Sequence, residues 1–247
     1  MKKFAKFSIC CGLSVCGLFV LEAQPKTAAV PFVGCESDGQ SGPKPTPRGG
    51  SKAESTDKAS AERLAYYSSG EGFGVLAPRG WYCFGAYGSN GQFLFVSPRP
   101  IARAPSWADW PGFTGDVVQL SWNYGGTSGR YVVAEVIARV FPAHRQFLTD
   151  LRHDPLQKDF HFGPFPTDAL TYKSNSMVEY VAPPWKDGLG TVSPLKKNDT
   201  AIHGVAMLFG EAPDLLQLSM RLPAALSSLD TVIIQRVELD FARHAER

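Results

Sequence analysis

The sequence predicts an α+β domain in which a mainly antiparallel sheet packs with a central helix and a C-terminal helix. Short runs of β-branched and aromatic residues, separated by Gly, Asn and Pro, indicate strands joined by hairpins. Two other segments, one in the middle of the chain and one at its end, place apolar residues at helical spacing. We expect this single domain to occupy residues 61–247.

An export signal is the first element along the chain. Residues 1–6 form a short, positively charged segment, and residues 7–21 are apolar. This apolar run has the length of the hydrophobic core of a signal peptide and is short for a membrane span. Ala23 is a small residue after which cleavage can occur. An uncleaved anchor is the alternative. We therefore predict that residues 1–23 are a signal peptide and that the protein is exported, either periplasmic or secreted.

The charge balance argues against nucleic acid as a partner. The chain has 25 Lys and Arg against 23 Asp and Glu, and the predicted signal carries three lysines and one glutamate, so the remainder has no net formal charge. Proteins that bind nucleic acid draw on a surplus of positive charge to neutralise phosphates. No other apolar run is long enough to cross a membrane. We expect no nucleic-acid partner and no membrane span in the mature chain.

Two cysteines, Cys35 and Cys83, remain once the predicted signal is removed. In an oxidising compartment they most simply pair, and a disulfide that closes a loop of about 50 residues is worth roughly 4 kcal/mol. Two buried free thiols are the alternative. Residues 36–60 contain no aromatic residue and no aliphatic residue larger than alanine. Since such a segment buries little apolar surface, we predict that residues 24–60 form a disulfide-tethered arm and flexible linker.

The strands of the domain follow from apolar runs between turn residues. Asn90-Gly91 between two such runs is the strongest local signal for a hairpin. The predicted strands are 73–78, 81–84, 93–96, 117–122, 169–181, 201–209 and 215–222.

The two helices are predicted from periodicity. Residues 131–141 are rich in β-branched residues, which suits a strand, but their apolar positions continue at helical spacing to Leu151. Ser128 is a reasonable N-cap, so we favour a helix here and keep a strand as the alternative. Residues 226–244 carry an apolar stripe typical of an amphipathic helix.

The order of elements resembles that of the PsbP-like group of secreted α/β sandwich proteins. The likeness starts at Gly72-Phe73-Gly74-Val75-Leu76-Ala77-Pro78-Arg79-Gly80-Trp81 and continues through a hairpin, a central helix, further strands and a closing helix, over residues 66–241. The resemblance implies a sandwich fold and an accessory, mostly non-catalytic role. It brings no functional residue of that group onto this chain.

No strong catalytic or cofactor motif occurs in the sequence, so we predict no cofactor. The best weak grouping is His153, Asp159 and His161, because histidines and carboxylates bind metals or transfer protons. A solvated polar loop before Gly163-Pro164 is the alternative interpretation.

A glycine-rich turn offers a second candidate. If a helix follows residues 125–130, free backbone N–H groups at its start could hold an anion, with Ser128 and Arg130 beside them. A flexible connection is the alternative.

Tryptophans form the third candidate. Trp107, Trp110 and Trp185 lie in or near predicted loops, where exposed indoles could stack on sugars or peptides. The alternative is that these rings cover the edge of the core.

The function predicted from these observations is an exported accessory domain that binds a ligand or a protein and is not an enzyme, with a cell-envelope protein or a glycan as candidate partner. One alternative is a hydrolase or metal-dependent enzyme that uses His153, Asp159 and His161. A second alternative is carbohydrate or cell-wall binding through loop tryptophans.

Overall fold

A computed structural model describes residues 27–70, 73–101, 110–151 and 160–245. The predicted signal peptide and the candidate residues Trp107, His153 and Asp159 lie outside these ranges. The strands in the described part are β1 (Thr27–Val30), β2 (Phe32–Gly34), β3 (Glu36–Gly39), β4 (Lys52–Ser55), β5 (Leu64–Gly70), β6 (Phe73–Pro78), β7 (Tyr82–Gly88), β8 (Gly91–Ser97), β9 (Val117–Asn123), β10 (Ala169–Ser174), β11 (Met177–Ala182), β12 (Ile202–Phe209) and β13 (Asp214–Arg221). The helices are α1 (Lys58–Arg63), α2 (Arg130–Val140), α3 (Gln146–Leu151) and α4 (Asp230–Ala245), with short 3₁₀ turns at Pro142–His144, Leu189–Thr191 and Ala224–Leu229.

The strands form three sheets. The largest has eight strands in the order β10-β11-β12-β13-β9-β8-β7-β3, and all neighbours are antiparallel except β3 and β7. A second sheet has the order β2-β5-β6, and β1 pairs with β4 alone. The predicted α+β class, with sheets in a sandwich-like arrangement, is confirmed.

The two faces of the eight-stranded sheet are covered differently. Its inner face carries Leu94, Val96 and Val118, which share one core with β5, β6 and α4. Its outer face carries residues such as Val117 and Leu215, which share a second core with α2 and α3. Because α2 and α3 cover β9, β11, β12 and β13, the outer face of β3, β7 and β8 remains for other contacts.

The predicted hairpin at Asn90-Gly91 joins β7 and β8. Gly91 has φ +145°, and a Cβ built on it would lie 2.0 Å from the carbonyl oxygen of Trp122. Only glycine fits this close approach, which explains why the turn residue is so informative in the sequence.

The helix predicted over residues 131–141 is confirmed as α2, and its spacing buries Val133, Val136, Ile137 and Val140. The prediction of Ser128 as its N-cap is wrong, because Gly129 occupies that position and no side chain caps the helix.

Two later predictions need adjustment. The single strand predicted over 169–181 is two strands, β10 and β11, which pair across a tight turn. The C-terminal helix is confirmed, but its first turn, Ala224–Leu229, is a 3₁₀ helix. Leu229, Ile233 and Val237 of its predicted stripe are buried.

The predicted disulfide between Cys35 and Cys83 is confirmed, with an S–S distance of 2.04 Å. It joins β7 to the short connection between β2 and β3. β3 and β4 fall within residues 36–60, where the sequence predicts no strand. Both strands pair through their backbones, and backbone hydrogen bonds need no apolar side chain.

Within the described ranges, no helix is both long and apolar enough to span a membrane.

Candidate functional site

A cavity of about 690 Å³ lies on the outer face of the large sheet, over β3, β7 and β8. Residues from the strands, the β7–β8 turn and two loop segments line it together. They are Asp38, Gly39, Gln40, Phe84, Ala86, Tyr87, Gly88, Ser89, Asn90, Phe93, Phe95, Ile101, Trp110, Gly112, Pro194 and Lys196.

The floor of the cavity is apolar because of strand register. Phe84 is the cross-strand partner of Phe95, and Ala86 is the partner of Phe93. Partners in an antiparallel pair point to the same face, so these four side chains form one patch. Phe95 is buried, whereas Phe84 and Phe93 are half-buried, and their rings supply apolar surface to the cavity.

An aromatic cluster forms one wall. The ring centroid of Trp110 lies 5.0 Å from that of Phe95 and 5.0 Å from that of Phe113, and the Trp110 and Phe113 planes are nearly perpendicular. The segment that carries these rings is fixed by its backbone. Phe113 N–H donates to the Pro194 carbonyl at 2.9 Å, and Lys196 N–H donates to the Phe113 carbonyl at 2.7 Å.

Arg221 holds this wall from behind. Its guanidinium is fully buried and donates to the carbonyl oxygens of Gly115 and Lys196, one on each of the two loop segments. Burial lowers the pKa of Arg221, and the carboxylates of Asp116 and Asp199 act in the opposite direction. Arg221 therefore fixes the relative positions of the segments that contribute Trp110 and Lys196.

The rim of the cavity carries one acid and one base on different walls. Asp38 is in register with Ala86 on the neighbouring strand, so it shares the outer face, and its Oδ1 accepts from the Gly39 N–H at 2.8 Å. Lys196 is exposed, and no described residue forms an ion pair with its ammonium group. The adjacent Lys197 differs, because its Nζ lies 2.8 Å from Oδ1 of Asp187.

Polar contacts join the rest of the rim. Gln40 Nε2 donates to Ser89 Oγ at 3.3 Å, and Ser89 Oγ lies 3.1 Å from Ser128 Oγ. Tyr87 donates its hydroxyl to the Gly42 carbonyl, and the Lys44 ammonium lies 3.4 Å from the centroid of the Tyr87 ring. These contacts tie β3, the β7–β8 turn and the 125–130 turn together.

A buried polar band borders the cavity. Gln119, the cross-strand partner of Phe95, begins a row of polar side chains that continues under α2. At its end the Tyr180 hydroxyl lies 2.7 Å from Ser219 Oγ and accepts from Gln217 Nε2 at 3.2 Å. Burial raises the pKa of Tyr180 to about 12. This hydroxyl is therefore protonated at neutral pH and works as a structural hydrogen-bonding group.

Only some of the residues predicted from the glycine-rich turn and the tryptophans lie at the cavity. Ser128 reaches the cavity rim through Ser89, and Trp110 lines the cavity. Arg130 is not among the residues that line the cavity, and its guanidinium donates to the Tyr131 hydroxyl at 3.2 Å. Trp185 lies outside the cavity with 66% of its surface exposed and an unusual positive φ of 60°.

The predicted metal or proton-transfer grouping is only partly described. His161 is exposed, and its predicted partners His153 and Asp159 lie outside the described residues. Among the residues that the structure does describe, no group of three or more His, Cys, Asp or Glu side chains is arranged to hold a metal ion.

Sequence reasoning missed Asp38, Lys196 and the phenylalanine floor. One signal was present. In Phe93-Leu94-Phe95-Val96 every residue is apolar, so both faces of that strand carry apolar side chains. A hairpin strand of this kind must either be covered on both faces or offer one face to a ligand.

Comparison with known proteins found no match: no family model, curated protein or solved structure is significantly similar to this chain.

Proposed function

We propose that this chain is an exported, non-catalytic accessory domain that binds a small ligand in the cavity over β3, β7 and β8. The predicted signal peptide and the Cys35–Cys83 disulfide support export, since disulfides persist in oxidising compartments. An accessory domain of the PsbP-like kind agrees with the predicted order of elements. The observation that carries the proposal is the cavity itself.

The size and chemistry of the cavity are those of a ligand site. Small-molecule sites commonly occupy about 300–1,000 Å³ and combine an apolar lining with a few fixed polar groups. Here the apolar lining is Phe84, Phe93 and Trp110, and the polar groups lie at the rim. A ligand that covers these half-buried rings removes apolar surface from water, at about 25 cal/mol per Å².

The hydrogen bonds of the rim support binding over catalysis. Ser89 is a hydroxyl at the cavity rim, but its side-chain partners are Gln40 and Ser128. Neither partner is a general base that activates a nucleophile. Asp38 and Lys196 stand on different walls.

The test uses 1-anilinonaphthalene-8-sulfonate, an aromatic probe whose emission rises in apolar sites. We expect saturable binding of one probe per chain, with energy transfer from tryptophan to the bound probe. Ala86→Phe places a ring on the cavity floor and should reduce affinity at least tenfold. The matched control is Trp185→Phe, outside the cavity, which should leave affinity unchanged. Unchanged binding by a folded Ala86→Phe variant would reject the cavity as the site.

A further inference from the structure

The cavity has opposite charges on its two side walls. Asp38 belongs to β3 at the edge of the sheet, whereas Lys196 belongs to the loop wall beyond β8. β3 and β8 are separated by β7, and Lys196 lies beyond β8, so the two walls stand at least two strand spacings, about 10 Å, apart. The aromatic floor lies between the two charges.

The backbone of Lys196 is held in place without any ligand. Its N–H is bound to the Phe113 carbonyl and its own carbonyl accepts from Arg221. A Cβ built on Gly112 would lie 3.2 Å from Cε of Lys196, so the lysine side chain runs over this cavity-lining glycine. With no ion pair to any described residue, its ammonium is available to an anionic group.

Asp38 is prepared in the same way on the opposite wall. One carboxylate oxygen accepts the Gly39 N–H, and the other makes no hydrogen bond or ion pair within the described chain. Lys44, whose N–H donates to the carbonyl of the neighbouring Ser37, places its ammonium over the Tyr87 ring instead. The carboxylate can therefore receive an ammonium group from a ligand.

We infer that the cavity binds a short peptide of three or more residues with free ends, its amino end at Asp38 and its carboxylate at Lys196. This inference rests on the proposed function. An extended peptide advances about 3.3 Å per residue, so at least three residues are needed to cover about 10 Å, and a single amino acid does not reach from wall to wall. Apolar side chains of the peptide would cover Phe84, Phe93 and Trp110.

The experiment measures binding of the tripeptide Leu-Phe-Leu by calorimetry at low salt, alongside its N-acetylated and C-amidated forms. Lys196→Gln should weaken binding of the peptide with a free carboxylate about tenfold, as expected for the loss of about 1.4 kcal/mol. It should leave binding of the C-amidated peptide unchanged. Asp38→Asn should weaken binding of the peptide with a free amino end by a similar factor and leave binding of the acetylated peptide unchanged. Lys196→Arg should retain binding because it keeps the charge.

The matched control is Lys197→Gln, because that neighbouring lysine is paired with Asp187 and does not line the cavity. Lys197→Gln should leave the affinity for all three peptides unchanged. If capped and free peptides bind alike, the assignment of the two ends is overturned. If anilinonaphthalene sulfonate binds but no peptide does, the peptide inference fails while the proposed function stands. If neither binds, both fail.

Discussion

Arg221 donates a hydrogen bond of 3.1 Å from its Nη1 to the carbonyl oxygen of Gly115, a residue 106 positions earlier in the chain. The guanidinium is buried and also binds the Lys196 carbonyl. A fully buried cation therefore fixes two loop segments that have no regular secondary structure of their own at these contacts. The position of the Lys196 side chain depends on it.

We expect Arg221→Met to lower the free energy of unfolding by about 3 kcal/mol, because a methionine of similar length leaves two buried carbonyl oxygens without donors. The same change should weaken binding of anilinonaphthalene sulfonate by loosening the wall. Urea denaturation followed by circular dichroism measures the first effect. Arg48→Met, at an exposed arginine, is the control and should cost less than 1 kcal/mol. A similar loss of stability in both variants would contradict this role of Arg221.

Cys83→Ser should lower the free energy of unfolding by roughly 4 kcal/mol, since the disulfide closes a long loop. Reductant should destabilise the native protein by the same amount and have no further effect on a variant lacking both cysteines. Intact-mass analysis with a thiol reagent should detect two reactive thiols only after reduction. Free thiols before reduction would contradict the pairing.

Stability should fall as the pH rises above about 10, because Tyr180 keeps its proton in the folded state up to about 12. The unfolded chain releases this proton near 10, so the unfolded state binds fewer protons than the folded state across that interval. Tyr180→Phe should remove part of this alkaline loss and cost about 1 kcal/mol at neutral pH, through the lost hydroxyl contacts. Tyr172→Phe, at an exposed ring, is the control for spectroscopic titration against pH.

Glu238→Gln should raise stability at pH 7. Burial and the neighbouring Glu179 raise the pKa of Glu238, with Lys173 acting in the opposite direction. The folded state therefore binds the Glu238 proton more tightly than the unfolded state does. Protonation of Glu238 stabilises the fold at low pH, and this stabilisation is lost as the pH rises. Thermal melts from pH 4 to pH 8 should show the gain shrink as the pH falls. Glu62→Gln, whose carboxylate faces Lys58 at the surface, should show no such gain.

Sequence reasoning succeeded where structure depends on local pattern. The Asn90-Gly91 hairpin requires a glycine against Trp122, and α2 buries the residues that its spacing selects. The disulfide followed from the number of cysteines that remain after the signal.

The cavity could not be predicted in this way. Asp38 lies in a strand formed by backbone pairing, and such pairing leaves no apolar pattern in the side chains. Lys196 belongs to a loop whose position depends on Arg221, which lies on a distant strand. The site depends on contacts between residues far apart in sequence, and the local composition of the sequence does not predict such contacts.

The Cys35–Cys83 bond has a consequence for when the cavity is complete. It attaches the start of β3 to β7, and these two strands supply the acidic wall and part of the floor. For an exported chain this bond forms only after the reducing cytosol has been left behind. Without this bond, the edge carrying Asp38 is held by four residues of backbone pairing and by the contacts of Gln40 with Ser89 and of Tyr87 with Gly42. If the chain is exported and binds as proposed, it reaches its full binding form only in an oxidising compartment, and its affinity should fall when the disulfide is reduced.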